Sequence, residues 1–117
     1  MGGPAGAAAE GYLRSGAAAP DLLNAEVLSG LRARERHGQL EAERSQEVAE
    51  DLLSLRITRY PTLPLVDRAW SLRHNFTAYD AMYVALAEAV DGQLVTLDGK
   101  LARAVREHTD VDAVLLA

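Results

Sequence analysis

The sequence predicts a single α/β domain with a mostly parallel sheet, and three observations lead to this fold class. The chain has 117 residues, which suits one hydrophobic core and is too short for two. Short apolar strands alternate with helices after Leu55, as they do in parallel sheets with crossover helices. The segment from Thr77 to Val90 is apolar on nearly every face, which is typical of a buried helix.

The first half of the chain is predicted to be mostly helical. Asp21 is predicted to be the N-cap of the first long helix, and Gly38 its C-terminal stop. The predicted elements are a short helix over Pro4–Ser15, a connector or very short strand over Gly16–Pro20, and long helices over about Asp21–His37 and Leu40–Leu55. The apolar stripe of the first long helix consists of Leu23, Val27, Leu28 and Leu31.

The second half is predicted to alternate between strands and helices. Trp70, the only tryptophan, is placed on the packing side of its helix and is expected to fill the core. The predicted elements are a strand over Ile57–Tyr60, a helix over Leu63–Arg73, the buried helix, a strand over Leu94–Leu97, a helix over Asp98–Glu107 and a strand over Val111–Leu116.

The composition of the chain argues against several classes of protein. The net charge of −5 argues against a generally basic nucleic-acid-binding surface and leaves room for a local basic rim. The chain has no cysteine, which excludes disulfides and thiolate metal sites within it and fits a reducing compartment. No apolar run approaches the roughly 18 residues of a membrane span, and the N-terminus lacks the order of a signal peptide. We therefore expect a soluble cytoplasmic domain that does not enter a membrane.

The buried helix carries one charged side chain between Ala78 and Ala87, the carboxylate of Asp80. Burying an unpaired carboxylate costs several kcal/mol, so Asp80 must be neutralised, paired or directed at a cation. Thr77 and Asp80 also have the spacing of a capping box, in which the acid has only a structural role. Taken alone, the pair favours this structural interpretation.

Two further acids have similar alternatives. Glu26 lies beside the apolar stripe of its helix, where a glutamate is ordinarily a solvated flank residue. Asp98 follows the strand that ends at Leu97, and its position also suits an N-cap. Because functional groups gather outside the carboxyl ends of parallel strands, the three acids are able to converge on one edge of the sheet. Two carboxylates about 4 Å apart repel by roughly 4 kcal/mol at an effective dielectric of 20, so such a cluster takes up protons or holds a hard cation.

Three segments carry a resemblance to a known family. APDLLNAEVLSGLR, LRHNFTAYDAMYVALAEA and LVTLDGKLARA resemble, in order and spacing, blocks of the PIN-domain ribonucleases, specifically the VapC toxins of VapBC toxin–antitoxin pairs. The resemblance implies that residues 1–117 form one PIN-like domain, a three-layer α/β/α sandwich. It also implies an endoribonuclease that uses Mg²⁺ or Mn²⁺ to hydrolyse RNA, a VapB-like antitoxin that covers the site, and a homodimer.

The resemblance assigns roles to five residues. Glu26, Asp80 and Asp98 match the acids of the family's motifs and are expected to bind the metal and take part in catalysis. Thr77 and Thr96 are expected to be supporting polar residues. Mg²⁺ prefers oxygen ligands and needs only one or two carboxylates besides water and substrate phosphate. Which acid acts as general base, and whether one or two metals act, stays open.

The N-terminus departs from the family pattern. Members begin with a hydrophobic strand that ends in an Asp and lies in the centre of the sheet, whereas this chain opens at Met1-Gly2-Gly3-Pro4. We therefore expect the central strand and the first metal-binding acid to be missing. Either the start is assigned downstream or the form is short, or another chain fills the gap, or the sheet closes with a different strand pairing. In each case the chain by itself is predicted to be a weak or inactive nuclease.

A second class of function stays open. A non-catalytic PIN-like module would bind an antitoxin or dimerise through apolar surface on the helices between Asp21 and Leu55. A weaker alternative is a structural domain in which the three acids are only helix caps or flank residues. RNA binding would need a basic rim, because phosphate contacts dominate affinity. The residues that suit such a rim are Arg73, Lys100, Arg103 and Arg106, the last two being equally compatible with solvated helix-terminal charges.

Overall fold

The computed structural model describes residues 16–116, and the helix predicted over 4–15 lies outside this range. The predicted order of strands and helices is confirmed for the described residues. The elements are β1 Ala17–Pro20, α1 Leu23–Arg36, α2 Ala42–Ser54, β2 Ile57–Tyr60, a 3₁₀ turn Leu63–Leu65, α3 Val66–Ser71, α4 Ala78–Ala89, β3 Leu94–Thr96, α5 Gly99–His108 and β4 Ala113–Leu115.

The strands pair in parallel, as predicted, but in the described residues they form two separate two-stranded sheets. In the first sheet Ala17 of β1 lies opposite Ile57 of β2. In the second sheet Leu94 of β3 lies opposite Ala113 of β4. The pairing of β1 with β3 that would close the sheet is not found among residues 16–116.

Helix α4 is the centre of the hydrophobic core. It contacts β1 of one sheet and β3 of the other, and also packs against α3. This confirms the buried helix predicted from sequence, whose small and β-branched side chains allow neighbouring backbones to approach closely. Thr77 caps the start of α4, and Asp91 adopts a φ of 52° just after its end. The fully packed side chains of α4 are Ala81, Val84, Ala85, Leu86 and Ala87.

Helices α1 and α2 form a hairpin that is far less buried. They pack against each other, and α1 has no buried residue, so its predicted apolar stripe is covered only in part and Leu28 is 52% exposed. Arg59 of β2 holds the hairpin in place: its guanidinium donates to Asn24 Oδ1 at 2.6 Å and to the carbonyl of Leu52 at 3.1 Å. The hairpin is thus attached through these polar contacts and through Leu52 of α2, which is buried.

The ends of α1 test two predicted caps. Gly38 follows the helix with a φ of 70°, a left-handed conformation that glycine adopts without strain, so the predicted stop is confirmed. The predicted N-cap is wrong: Leu22 occupies that position with no side-chain bond. Asp21 instead continues the strand pairing, since its N–H donates to the carbonyl of Tyr60 at 2.8 Å.

The prediction that Trp70 fills the core is also wrong, because its side chain is 67% exposed. The inward positions of this region belong to Leu65, Ala69 and Leu72, which are all buried. Trp70 follows Ala69 directly, and one residue rotates a helix by about 100°, which turns the indole away from the core. The Arg73 guanidinium lies over the Trp70 ring, 4.4 Å from its centroid.

Within the described range, no helix is both long enough and apolar enough to cross a membrane.

Candidate functional site

The first contact of the candidate site joins α1 to α4. Glu26 lies in the first turn of α1 and is exposed, while Tyr83 is half-buried on α4. The Tyr83 hydroxyl donates to Glu26 Oε1 at 2.6 Å across a sequence separation of 57 residues. A hydroxyl that donates to a carboxylate at this distance makes a short, charge-assisted hydrogen bond. This bond places the Glu26 carboxylate beside the central helix.

Asp80 lies one turn before Tyr83 on the same face of α4. Its side chain is half-buried, and its backbone N–H donates to Thr77 Oγ1 at 3.1 Å. Thr77 therefore caps the helix, as its spacing predicts, and this cap uses the backbone of Asp80 rather than its carboxylate. The first turn of α4 also has free N–H groups and the positive end of the helix dipole, which favour an ionised acid.

The surroundings of Tyr83 favour its protonated form. Burial and the hydrogen bond to Glu26 raise the pKa of Tyr83 far above its ordinary value, and the negative charges of Glu26 and Asp80 raise it further. The phenol therefore stays protonated and remains a hydrogen-bond donor at neutral pH. Glu26 is thus hydrogen-bonded to a tyrosine that lies one turn after Asp80 on the same face of α4.

Asp98 has a different environment at the end of β3. Its Oδ1 accepts hydrogen bonds from the backbone N–H groups of Lys100 at 2.9 Å and Leu101 at 3.3 Å, so it is the N-cap of α5. Thr96 Oγ1 accepts from the Asp98 N–H at 3.0 Å and fixes the turn between strand and helix. The cap predicted for Asp98 is confirmed, and the supporting contact of Thr96 goes to the backbone.

The three predicted acids do not form a ready three-ligand metal site. Within residues 16–116, no group of three His, Cys, Asp or Glu side chains lies close enough to hold a metal ion. Glu26 is hydrogen-bonded to Tyr83, and Asp80 lies one turn before Tyr83, whereas the bonds of Asp98 are to its own helix. The pair offers only carboxylate oxygens, a donor set that suits Mg²⁺ or Mn²⁺, and Mg²⁺ needs no more than one or two carboxylates. Metal binding by all three acids stays a prediction.

The predicted basic rim is only partly free for nucleic acid. Arg106 donates to the carbonyl of Ala113 at 2.9 Å and so holds α5 to β4, which is a structural role. Arg73 stacks on Trp70 and donates to its carbonyl at 3.0 Å. Lys100 and Arg103 are exposed on α5. The positive charge near the acids is therefore modest.

Tyr83 is the site residue that was not predicted from sequence. The signal for it was present, because Tyr83 lies three positions after Asp80 on a helix that is otherwise apolar. A half-buried phenol needs a partner for its hydroxyl, and a nearby acid is a common one. The identity of that acid was not predictable, since Glu26 belongs to a helix far away in sequence.

Comparisons with known proteins place the chain in a family. Residues 2–107 match the PIN domain. The chain is 42% identical over 83 residues to VapC ribonuclease Mb0985 of Mycobacterium bovis and 45% identical over 87 residues to ribonuclease VapC1 of Mycobacterium tuberculosis. These matches cover 71% and 74% of the chain but only 65% of each relative.

A third relative is matched over more of its length. Ribonuclease VapC12 of Mycobacterium tuberculosis is 34% identical over 112 residues, which are 95% of this chain and 87% of the relative. The parallel strands and surrounding helices agree with the sandwich that the resemblance implies. The chain therefore belongs to the PIN-domain family, and within it to the VapC-type proteins.

Proposed function

We propose that the protein is a metal-dependent endoribonuclease toxin of a type II toxin–antitoxin pair, which hydrolyses RNA phosphodiester bonds and is weakly active as this chain alone. The observation that carries the proposal is the hydrogen bond that holds Glu26 to Tyr83, which lies one turn from Asp80 on α4. It occurs in a chain of the PIN family whose relatives are named ribonucleases.

Glu26 and Asp80 would hold Mg²⁺ or Mn²⁺, with Asp98 as a third acid of the proposed site. When bound, such a metal lowers the pKa of a coordinated water and offsets negative charge on the phosphate. The oxygen-only donors of the pair support this choice of metal. The cytoplasm, where Mg²⁺ and RNA are both abundant, is the proposed location.

The residues around the acids have positioning roles in this proposal. The Tyr83 hydroxyl holds the Glu26 side chain in one orientation through its 2.6 Å bond. Thr77 caps α4 through the Asp80 backbone and leaves the Asp80 carboxylate outside the cap. Thr96 fixes the backbone of Asp98, whose Oδ1 is already used by the start of α5. A proton accepted from water during hydrolysis would go to one of these carboxylates.

The proposed weakness has a structural basis. In the described range no three acids gather closely enough to bind a metal, so a cation at Glu26 and Asp80 would be held by fewer protein oxygens than the full predicted set. Fewer charged ligands lower the affinity of a hard-cation site. We therefore expect cleavage only at high Mn²⁺ or Mg²⁺ concentration.

The proposed partners are RNA, a VapB-like antitoxin and a second copy of the chain. The hairpin of α1 and α2 supports a protein partner, since Leu28 is 52% and Leu53 is 85% exposed. Exposed apolar side chains on an amphipathic hairpin are typical of surfaces that bind another protein. Lys100 and Arg103 supply positive charge for the RNA backbone.

A non-catalytic PIN-like module that binds an antitoxin or dimerises is the second candidate. It is favoured by the lack of a three-acid group in the described residues and by the exposed apolar side chains of the hairpin. The two candidates differ in one measurable property. The nuclease requires a divalent metal for its activity, whereas the module binds its partner without one.

Cleavage of RNA by the purified full chain tests the proposal. With Mn²⁺ we expect slow cleavage that is removed by EDTA and lost in Asp80→Asn. Asp67→Asn is the matched control, because Asp67 is also an acid in the first turn of a helix and is exposed. No Mn²⁺-dependent cleavage would favour the binding module. Cleavage that persists unchanged in Asp80→Asn would contradict the proposed site.

A further inference from the structure

The indole of Trp70 is exposed although buried positions lie close to it on the same segment. Ala69, directly before it, and Leu72, two residues after it, are both buried. Trp70 itself is 67% exposed. Aromatic side chains stabilise a fold mainly by the large apolar area that they bury, and this one leaves most of its area in water. The packing of the core therefore does not account for a tryptophan at this position.

Arg73 is fixed against one face of this indole. Its guanidinium lies 4.4 Å from the ring centroid. Its Nη1 donates to the carbonyl of Trp70 at 3.0 Å, and this bond uses one of the five N–H groups of the guanidinium. A planar cation covers a single face of a ring, so the other face of the indole stays open. The Trp70–Arg73 pair thus presents an open aromatic face beside a positive charge.

The segment around the pair differs in charge from the rest of the chain. Residues 68–79 contain two arginines, a histidine and no acid. The whole chain has 17 acids and a net charge of −5. Arg68 is ion-paired with Glu88 at 2.6 Å, whereas the Arg73 guanidinium lies over the indole. The pair therefore lies in a locally basic segment whose charge suits an anionic ligand.

The pair is also close to the start of the helix that carries Asp80. The N–H of Phe76 donates to the carbonyl of Leu72 at 3.1 Å, so a helical turn continues to the residue before the Thr77 cap. Trp70 precedes this cap by seven residues. Helical turns rise by about 1.5–2 Å a residue, which corresponds to roughly 10–14 Å along the segment. A ligand on the pair therefore lies near the first turn of α4.

We infer that the Trp70–Arg73 pair is a subsite for single-stranded RNA, in which a base stacks on the open face of the indole and Arg73 contacts a neighbouring phosphate. Stacking of bases on aromatic side chains contributes strongly to single-strand binding. The planar guanidinium fork matches the geometry of a phosphate. The choice of RNA rests on the proposed function. Trp70 positions the substrate in this account, and no bond is made or broken at it.

Other classes of ligand use only part of the pair. A cationic ligand on the indole would be repelled by Arg73. An acidic peptide would pair with Arg73 and leave the open face of the indole without an aromatic partner. The apolar surface of a second copy would cover the indole, but it would also take the guanidinium out of water without a counter-charge, which is costly. A nucleotide has both a π face and a negative charge.

The intrinsic fluorescence of the full chain tests the inference, because Trp70 is the only tryptophan. The probe is an oligoadenylate RNA of about ten nucleotides, added in EDTA at low salt so that it is bound without cleavage. The control is an oligomer of the same length and backbone that has no bases. We expect saturable quenching by the RNA, and about tenfold weaker binding with no quenching by the control. Equal affinity for the two, RNA binding without quenching, or no binding of either would overturn the inference.

Variants of the indole sharpen this test. Trp70→Ala should weaken binding of a labelled RNA about tenfold by fluorescence anisotropy, and Trp70→Phe, which keeps a π face, should lose less. Leu63→Ala is the matched control, because Leu63 is 81% exposed and lies seven residues before Trp70, about two helical turns away. It removes exposed apolar area and no aromatic face, so we expect unchanged RNA binding. Equal losses in Trp70→Ala and Leu63→Ala would contradict stacking.

The salt dependence of RNA binding tests the role of Arg73. Loss of one phosphate contact lowers the slope of log affinity against log salt by about 0.7 for a single strand. We expect this decrease in Arg73→Gln. Arg36→Gln is the control, because Arg36 is exposed in the last turn of α1, about 15 Å along that helix from Glu26. An unchanged slope in Arg73→Gln would mean that Arg73 only supports the indole and would overturn the phosphate contact.

Cleavage kinetics with Mn²⁺ separate this inference from the proposed nuclease. Where the wild-type chain cleaves, Trp70→Ala should raise KM about tenfold and leave kcat nearly unchanged, since the stack is the same in the ground state and the transition state. Cleavage with an unchanged KM in Trp70→Ala would overturn the subsite and leave the nuclease standing. Quenching by RNA in a chain that never cleaves would support the subsite and contradict the nuclease.

A second copy of the chain is the main competing occupant. It would shift the Trp70 emission to the blue as protein concentration rises in the absence of RNA, because the indole would leave water. Leu63→Ala would weaken that shift, since Leu63 extends the exposed apolar surface. This pair of results would identify a self-association surface and overturn the RNA subsite.

Discussion

Helices α4 and α5 each have a threonine and an aspartate at or near their first turn, but these residues have different roles in the two helices. At α4, Thr77 is the cap and Asp80 contributes only its backbone N–H, so the Asp80 carboxylate is not used by the helix. At α5, Asp98 is itself the cap and Thr96 supports it from behind. An acid at a helix start is available for metal or substrate when another residue performs the capping. The position of the threonine relative to the helix decides whether the threonine or the aspartate is the cap.

The largest expected effect concerns activity. Asp80→Asn should reduce Mn²⁺-dependent RNA cleavage by roughly a hundredfold or more, because it removes the uncommitted charge of the site. Asp98→Asn should reduce cleavage less, since one of its oxygens already serves the helix. Initial rates on a labelled RNA measure both. A larger loss in Asp98→Asn than in Asp80→Asn would reverse the proposed ranking of the two acids.

The next effect concerns stability and separates capping from charge at Asp98. Asp98→Ala removes the acceptor for two backbone N–H groups and should lower the free energy of unfolding by about 1 kcal/mol. Asp98→Asn keeps a capping oxygen and should leave stability nearly unchanged. Urea unfolding of the three proteins measures the difference. Equal destabilisation by Asn and Ala would mean that the charge, rather than the cap, stabilises α5.

At α4 the threonine is the cap and the aspartate is not, so the threonine variants are expected to change stability there. Thr77→Ala should cost about 1 kcal/mol, whereas Thr77→Ser keeps the hydroxyl that accepts from Asp80 and should cost less. Asp80→Asn should change stability little, because its carboxylate is not part of the cap. Thermal unfolding of these variants provides the test. A destabilisation by Asp80→Asn as large as that of Thr77→Ala would contradict the division of roles at α4.

The smallest effect is a dependence of stability on pH. The pKa of Tyr83 is raised by burial, by the hydrogen bond to Glu26 and by nearby negative charge. A raised pKa in the folded state means that its stabilisation is fully present below the ordinary tyrosine value of about 10 and is lost as pH rises from there toward the folded pKa. Stability of the wild-type chain should therefore fall above about pH 10, and less steeply in Tyr83→Phe. Parallel curves for the two proteins would show that Tyr83 contributes nothing to this dependence.

The comparison of the two helices also shows which features can be predicted from sequence alone. Local signals predicted the order of elements, the buried character of α4, the Thr77 cap and the Asp98 cap, because these depend on residues within one or two turns. The exposure of Trp70 was mispredicted because the inward positions of α3 are decided by which residues pack against α4. Apolar pattern alone does not distinguish them.

Contacts between residues that are distant in sequence could not be predicted from the sequence. The bond between Tyr83 and Glu26 spans 57 residues, and no local pattern encodes it. The resemblance identified Glu26, Asp80 and Asp98, but the structure alone shows that Glu26 accepts a hydrogen bond from Tyr83 and that Asp98 caps its own helix. The separation of the described strands into two pairs likewise follows from tertiary packing.

A Mn²⁺ titration of thermal stability tests whether Glu26 and Asp80 form a cation-binding pair beside Tyr83. A ligand that binds only the folded state stabilises it by about 1.4 kcal/mol at ten times its dissociation constant. We expect Mn²⁺ to raise the unfolding temperature of the wild-type chain and of the control Glu50→Gln, and not of Glu26→Gln or Asp80→Asn. Equal stabilisation of all four proteins, or of none, would contradict it.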